Sequence, residues 1–255
     1  MVQRVIVTAA ASGIGSAIAG AFAAGGARVH VCDVNNDLLQ SFRAEHPEIA
    51  AARVNVADEG EIDAWFDDAL DDLGGLDVLV NNAGIKGPTA FVDDISFDDW
   101  RECLAICLDS QFLCARRAAP VMRDQGSGSI INISSMAGMV GFGMRTPYAA
   151  AKWGVIGLTK SLAIELGPHN VRVNAICPGA VAGERMQRVI AAQAEHQGKP
   201  HADVEAEVLS GQSIRRFVDP AEVADLCVFL ASPNAKMISG QAIAVDGHTE
   251  TYHIG

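Results

Sequence analysis

Apolar residues along this chain fall into two alternating patterns. Short runs rich in Val, Ile and Ala occupy 4–8, 28–32, 51–56, 76–80, 129–133, 171–176 and 242–245. Runs of that length, bounded by Gly, Asn or Asp, predict buried β-strands. Between them lie stretches whose apolar positions recur every three or four residues, at 14–24, 37–45, 58–73, 98–124, 147–166 and from 219 onward. That period predicts helices with one buried face. The 58–73 segment turns Ile62, Trp65, Phe66, Ala69, Leu70 and Leu73 to one side. Gly25-Gly26 stops the first helix, Pro147 suits a first turn, and Asp219-Pro220-x-Glu222 carries a capping signature. Strands alternating with helices predict βαβ units, and therefore an α/β fold with a parallel sheet covered on both faces. Segment 183–213 breaks the rhythm. It is polar, contains Gly198-Lys199-Pro200 and is expected to form a lid over a ligand site.

Composition narrows the class. With 255 residues, 49% of them hydrophobic, the chain is expected to form one domain over 1–255. A formal net charge of −12 disfavours nucleic acid and anionic membranes as partners. Acid is densest at 58–72, which reads as a solvated helix face. Cys32, Cys103, Cys107, Cys114, Cys177 and Cys227 contain no C-x-x-C pair and read as reduced, buried thiols of a cytoplasmic protein. Cys103, Cys107 and Cys114 share one predicted helical face, where core packing is expected rather than a metal site. No run reaches the length of a membrane span, and a signal peptide is not expected ahead of the strand at 4–8.

The chemistry is concentrated at strand ends. Thr8-Ala-Ala-Ala-Ser12-Gly13-Ile14-Gly15 joins the first strand to the first helix. Glycines there let backbone approach a pyrophosphate, and a helix N-terminus favours its charge. Asp33 closes the second strand, where a carboxylate bonds ribose hydroxyls and repels a 2′-phosphate. Neither Ser12 nor Val34 offers a cation, so NAD is expected over NADP. Further on, Tyr148-Ala-Ala-Ala-Lys152 places a phenol and an ammonium one helical turn apart. A neighbouring cation stabilises a phenolate, which suits a phenol to acid–base work near neutral pH. Ser135, just beyond the strand at 129–133, offers a hydroxyl to a substrate oxygen held by Tyr148.

These motifs, with Asn81-Asn82-Ala83-Gly84 and Asn174-Ala-Ile-Cys-Pro178-Gly179, stand in an order that resembles the short-chain dehydrogenase/reductase family over nearly the whole chain. The resemblance implies a single Rossmann-type, doubly wound domain with a seven-stranded parallel sheet, and hydride transfer between a nicotinamide and a carbinol or carbonyl carbon. Ser135 would polarise the substrate oxygen, Tyr148 would move its proton, and Lys152 would support Tyr148 and hold the nicotinamide ribose. Ser12, Gly13, Ile14 and Gly15 would cradle the phosphates. Asn55 and Val56 would lie by the adenine. Asn82, Ala83 and Gly84 would lie by the adenosine ribose and phosphates, and Pro178, Gly179 and Val181 by the nicotinamide. A homo-oligomer, tetramer or dimer, built on helices 98–124 and 147–166 is implied.

Five positions depart from the family pattern. Ala9 and His248 stand where glycines are usual, Asn55 replaces an Asp, Gly183 replaces a Thr, and Cys107 replaces a catalytic Asn. In the family that Asn helps hold a water that relays protons between Lys and solvent; at Cys107 either backbone carbonyls hold the water instead, which is the reading favoured, or turnover is impaired. For the substrate, Arg145, Arg185 or Arg188 could bind an anionic group, and Glu184, Gln187 and Gln193 suit a sugar or polyol. An NADPH-dependent 3-oxoacyl reductase and a non-catalytic NAD-binding protein are the alternatives.

Overall fold

Side chains of successive strand residues point to opposite sides of a sheet, and the buried residues sort accordingly. Val5 and Val7 enter one core, Ile6 the other. Val78 and Val80 oppose Leu79 in the same way. The computed structural model describes residues 2–249, so both ends of the expected 1–255 domain lie outside the described residues. The strands are β1 (Arg4–Thr8), β2 (Arg28–Asp33), β3 (Ala50–Arg53), β4 (Val78–Asn81), β5 (Gly128–Ile133), β6 (Val171–Pro178) and β7 (Ala242–Val245). They form one seven-stranded sheet in the order β3-β2-β1-β4-β5-β6-β7, with every pairing parallel. This is the doubly wound Rossmann arrangement.

The helices are α1 (Gly13–Ala24), α2 (Asn36–Glu45), α3 (Glu59–Leu73), α4 (Phe97–Leu104), α5 (Ser110–Gln125), α6 (Thr146–Leu166), α7 (Glu184–Gln197), α8 (His201–Ser210) and α9 (Pro220–Ala231). The cap predicted at Asp219 forms: its side chain accepts from the α9 first turn while Glu222 accepts from the Asp219 amide at 2.9 Å. Among the described residues no helix is long and apolar enough to cross a membrane, and no three His, Cys, Asp or Glu cluster as metal ligands.

Four expectations change. The strand predicted at 51–56 ends at Arg53, because the Asn55 side chain accepts from the Ala57 amide and turns the chain. The helix predicted at 98–124 is divided by a π-turn at Ala105–Asp109. That turn adds a residue to the helical repeat and rotates the α5 residues relative to those of α4. Consequently Cys103 and Cys107 pack with Ala151 beside the site, while Cys114 belongs to a separate core cluster. The acidic α3 face is ion-paired as well as solvated: Arg116 reaches Glu59 at 2.6 Å, and Arg117 meets Asp67. Finally, 183–213 is mostly helical, with a small core of its own in Ile190, Ala194 and Val204.

Candidate active site

Strand order reverses between β1 and β4, and a crevice opens there beyond the carboxyl ends of the strands. The turn after β1 is fastened from both sides. Thr8 Oγ1 accepts the backbone amides of Asn82 and Ala83 at 2.9 and 3.1 Å. In return, Asn82 Nδ2 donates to the carbonyls of Thr8 and Ala9 at 3.0 and 2.8 Å. The Asn82 nitrogen therefore braces the turn. Gly15 has to be glycine, since a Cβ there would lie 2.5 Å from the Ala9 oxygen. Two of the departures from glycine, Ala9 and His248, both adopt positive φ, 50° and 66°.

Ser12 caps α1 by position, but its side chain makes no capping bond, which leaves the first-turn amides available to an anion. Asp33 is nearly buried at the end of β2 and accepts from the amides of Ala11 and Asn35 at 3.2 and 3.0 Å. These features fit a dinucleotide: open amide donors for phosphate, a carboxylate at the end of β2 on the cleft wall, and a cleft of about 830 Å³. Asn55, Val56, Pro178, Gly179 and Val181 line the same cleft, as do Ser12, Gly13, Ile14, Gly15, Ala83 and Gly84.

At the other end stand Ser135, Tyr148 and Lys152, all lining that cleft. Ser135 Oγ accepts from the Ala137 amide at 3.1 Å, which leaves its own O–H to donate outward. Lys152 is buried and donates to the Ile133 carbonyl at 2.8 Å. Its Nζ lies 5.7 Å from the centre of the Tyr148 ring, as the four-residue spacing predicts. Two further cations flank the same ring, Arg145 at 5.2 Å and Arg185 at 5.9 Å. Arg145 is buried and donates to the Lys86 carbonyl; Arg185 is exposed and donates to the Gly84 carbonyl at 3.2 Å.

Cys107 lies behind this surface and does not line the cleft. Its thiol receives the Ile85 amide at 3.4 Å and faces the Ile85 carbonyl at 3.6 Å. The Cys107 thiol is held below the ordinary thiol range, first by a hydrogen bond from Cys103 and then by the Lys152 charge, against the cost of burial. Its backbone carbonyl accepts Gln111 Nε2 at 3.4 Å. The parts that sequence reasoning missed are structural: the Thr8–Asn82 brace, Gln111, and the Arg145–Lys86 anchor. Thr8, Asn82 and Arg145 carried signals as motif or candidate residues, but not for these bracing contacts; Lys86 and Gln111 carried none.

Comparison with known proteins agrees with this geometry. A family model described as enoyl-(acyl carrier protein) reductase, a short-chain dehydrogenase model, matches residues 8–248. The chain belongs to the short-chain dehydrogenase/reductase family. A cis-4-hydroxycyclohexanecarboxylate dehydrogenase of Sinomonas cyclohexanicum is 39% identical over 245 residues, 95% of this chain and 94% of that one. Among solved structures, the actinorhodin polyketide ketoreductase with NADPH superposes with a TM-score of 0.93 at 30% identity, covering 96% of both chains. The NAD⁺-bound xylitol dehydrogenase gives 0.91 at 28% identity, covering 96% of this chain and 98% of that one. This short-chain dehydrogenase/reductase is thus an oxidoreductase of a fold that binds a nicotinamide cofactor.

Proposed function

We propose that this enzyme is an NAD-dependent dehydrogenase that transfers a hydride between the nicotinamide and the carbon of a secondary alcohol or its ketone, with Tyr148 as general acid/base. The observation that carries the reading is the placement of Tyr148, Lys152 and Ser135 on the wall of the cleft that begins at the open amides of α1. When bound, the cofactor supplies the hydride acceptor. Ser12, Gly13, Ile14 and Gly15 would hold its phosphates, and Pro178, Gly179 and Val181 would flank its nicotinamide. In the oxidation direction Ser135 donates a hydrogen bond to the substrate oxygen and orients it. Tyr148, as phenolate, takes the hydroxyl proton, and the Lys152 ammonium stabilises that negative charge. Asp33 supports NAD over NADP, because a carboxylate at that strand end repels a 2′-phosphate.

The α5 and α6 faces expose Phe112, Trp153 and Ile164, which supports assembly into a homo-oligomer through those helices. Six free, buried cysteines support a reducing, cytoplasmic setting. Incubation with NAD⁺ and a panel of secondary alcohols tests the reading through the absorbance of reduced nicotinamide. At least one alcohol is expected to yield NADH, and silence across the panel by NAD⁺-loaded enzyme counts against it.

A further inference from the structure

We propose that Gln111 is a positioning residue: it holds the Ile133 carbonyl that in turn holds the Lys152 ammonium beside Tyr148. The inference rests on the reading of Tyr148 as the reacting acid–base group. It extends that reading to the buried wall behind the site.

Lys152 is fixed at both ends by the exit of β5. Its backbone carbonyl accepts from Ser134 Oγ at 2.8 Å, and its ammonium donates to the Ile133 carbonyl at 2.8 Å. The ammonium therefore stands where that carbonyl directs it. The β4–β5 pairing ends one residue earlier, at Asn81 and Asn132, and the amides of Asn82 and Ala83 are turned to Thr8. The sheet does not carry on to secure Ile133 on that side. Gln111 does so instead, donating from Nε2 to the Ile133 carbonyl at 3.2 Å and to the Cys107 carbonyl at 3.4 Å. One amide group thus ties the π-turn to the strand end on which Lys152 rests.

Stability alone does not account for a glutamine here. Gln111 is 1% exposed, and its Oε1 has no hydrogen-bond partner among the described residues. A buried amide oxygen left unpaired is unfavourable, and an apolar side chain of the same shape avoids that cost. The neighbouring buried amides serve the core between sheet and helices. Asn81 Nδ2 donates to Asn132 Oδ1 at 2.9 Å, and Asn132 Nδ2 donates to Thr159 Oγ1 at 2.9 Å. Of these three amides, Gln111 alone reaches the acceptor that Lys152 uses.

An ammonium whose acceptor is fixed keeps a set distance from the phenol, and its stabilisation of a phenolate falls as that distance grows. The charged and titratable groups that face Tyr148 are Lys152 on its own helix, Arg145 just before it, Arg185 of α7, and Cys103 and Cys107 of α4 and the π-turn. Gln111 bears on two of these, each through a carbonyl: Lys152 through Ile133, and Cys107 through its own. The first route is the one proposed.

A pH titration of the full chain, labelled with ¹³C at the phenol carbon of tyrosine and followed by NMR, tests this without turnover. The chain has two tyrosines, Tyr148 and Tyr252, and Tyr148→Phe assigns their signals. Gln111→Met keeps the shape of the side chain and removes its donor. Gln111→Asn keeps the amide but shortens its reach, and serves if the first variant does not fold. In either variant the Tyr148 midpoint is expected to rise by about half a pH unit or more. Thr159→Val removes a buried hydrogen bond elsewhere in the same core and is expected to leave the midpoint in place. The rise is expected to persist when Cys107→Ser is present in both proteins compared. An unmoved midpoint, an equal rise in Thr159→Val, or a rise that disappears in the Cys107→Ser background would overturn the proposal. NADH formation by the wild type is measured separately. A midpoint that moves in a protein that oxidises no alcohol supports the role of Gln111 and counts against the dehydrogenase reading.

Discussion

Asn82 donates to the carbonyl of Ala9 at 2.8 Å, and Ala9 is held in the left-handed backbone region at φ 50°. An L-residue there costs roughly 1–2 kcal/mol, a strain that glycine avoids at some cost in unfolded-state entropy. Ala9→Gly is therefore expected to raise stability by about 0.5–1 kcal/mol. The check is a higher urea midpoint with unchanged slope. A lower midpoint would show that packing of the Ala9 methyl against the core outweighs the strain.

The positive φ at Ala9 illustrates what the sequence conceals. The residue is visible as a departure from glycine, but only the turn geometry shows that the departure is strained. Elements with strong local signals were legible: β7 spans its predicted 242–245, and the α9 cap forms from Asp219 and Glu222. Tyr148 and Lys152 meet because four residues span one helical turn. The π-turn at Ala105–Asp109 was not legible, since nothing in Ala-Ile-Cys-Leu-Asp departs from ordinary helical sequence. The helices of 183–213 were hidden by Gly198-Lys199-Pro200 and by a polar face that buries only a small local core. Arg185 was visible as a cation, but its position over Tyr148 is a tertiary contact between α7 and α6.

Cofactor choice turns on Asp33. Asp33→Asn keeps the size and an acceptor oxygen while removing the charge. Relative kcat/KM for NADP⁺ over NAD⁺ is expected to rise by about tenfold or more, as the loss of like-charge repulsion requires. An unchanged ratio would mean that discrimination lies elsewhere in the cleft.

Cys107 has a distinct titration to look for. Burial pushes the thiols of Cys114 and Cys177 up, to about 12 and about 11, and raises Cys32 and Cys227 as well. Cys103 is raised too, chiefly because it donates its proton to Cys107. Cys107 alone among the cysteines is lowered. Thiolate absorbance is therefore expected to appear below the ordinary thiol value of about 8.5, to vanish in Cys107→Ser and to move upward in Cys103→Ala. Stability is linked to the same titration. With the folded value depressed, Cys107 contributes stability above the unfolded thiol value and loses it as pH falls through the folded one. Turnover by Cys107→Ser is expected to fall by less than the roughly hundredfold that marks loss of a general acid–base group.

The central claim is that Tyr148 moves the substrate proton during NAD-linked hydride transfer. The most direct test compares wild type with Tyr148→Phe at saturating NAD⁺ and the same alcohol, following reduced nicotinamide and measuring NAD⁺ binding separately. The account predicts NADH formation by the wild type and a loss of about 10²–10⁴-fold in the variant, with NAD⁺ still bound. Equal rates in the two proteins would contradict it.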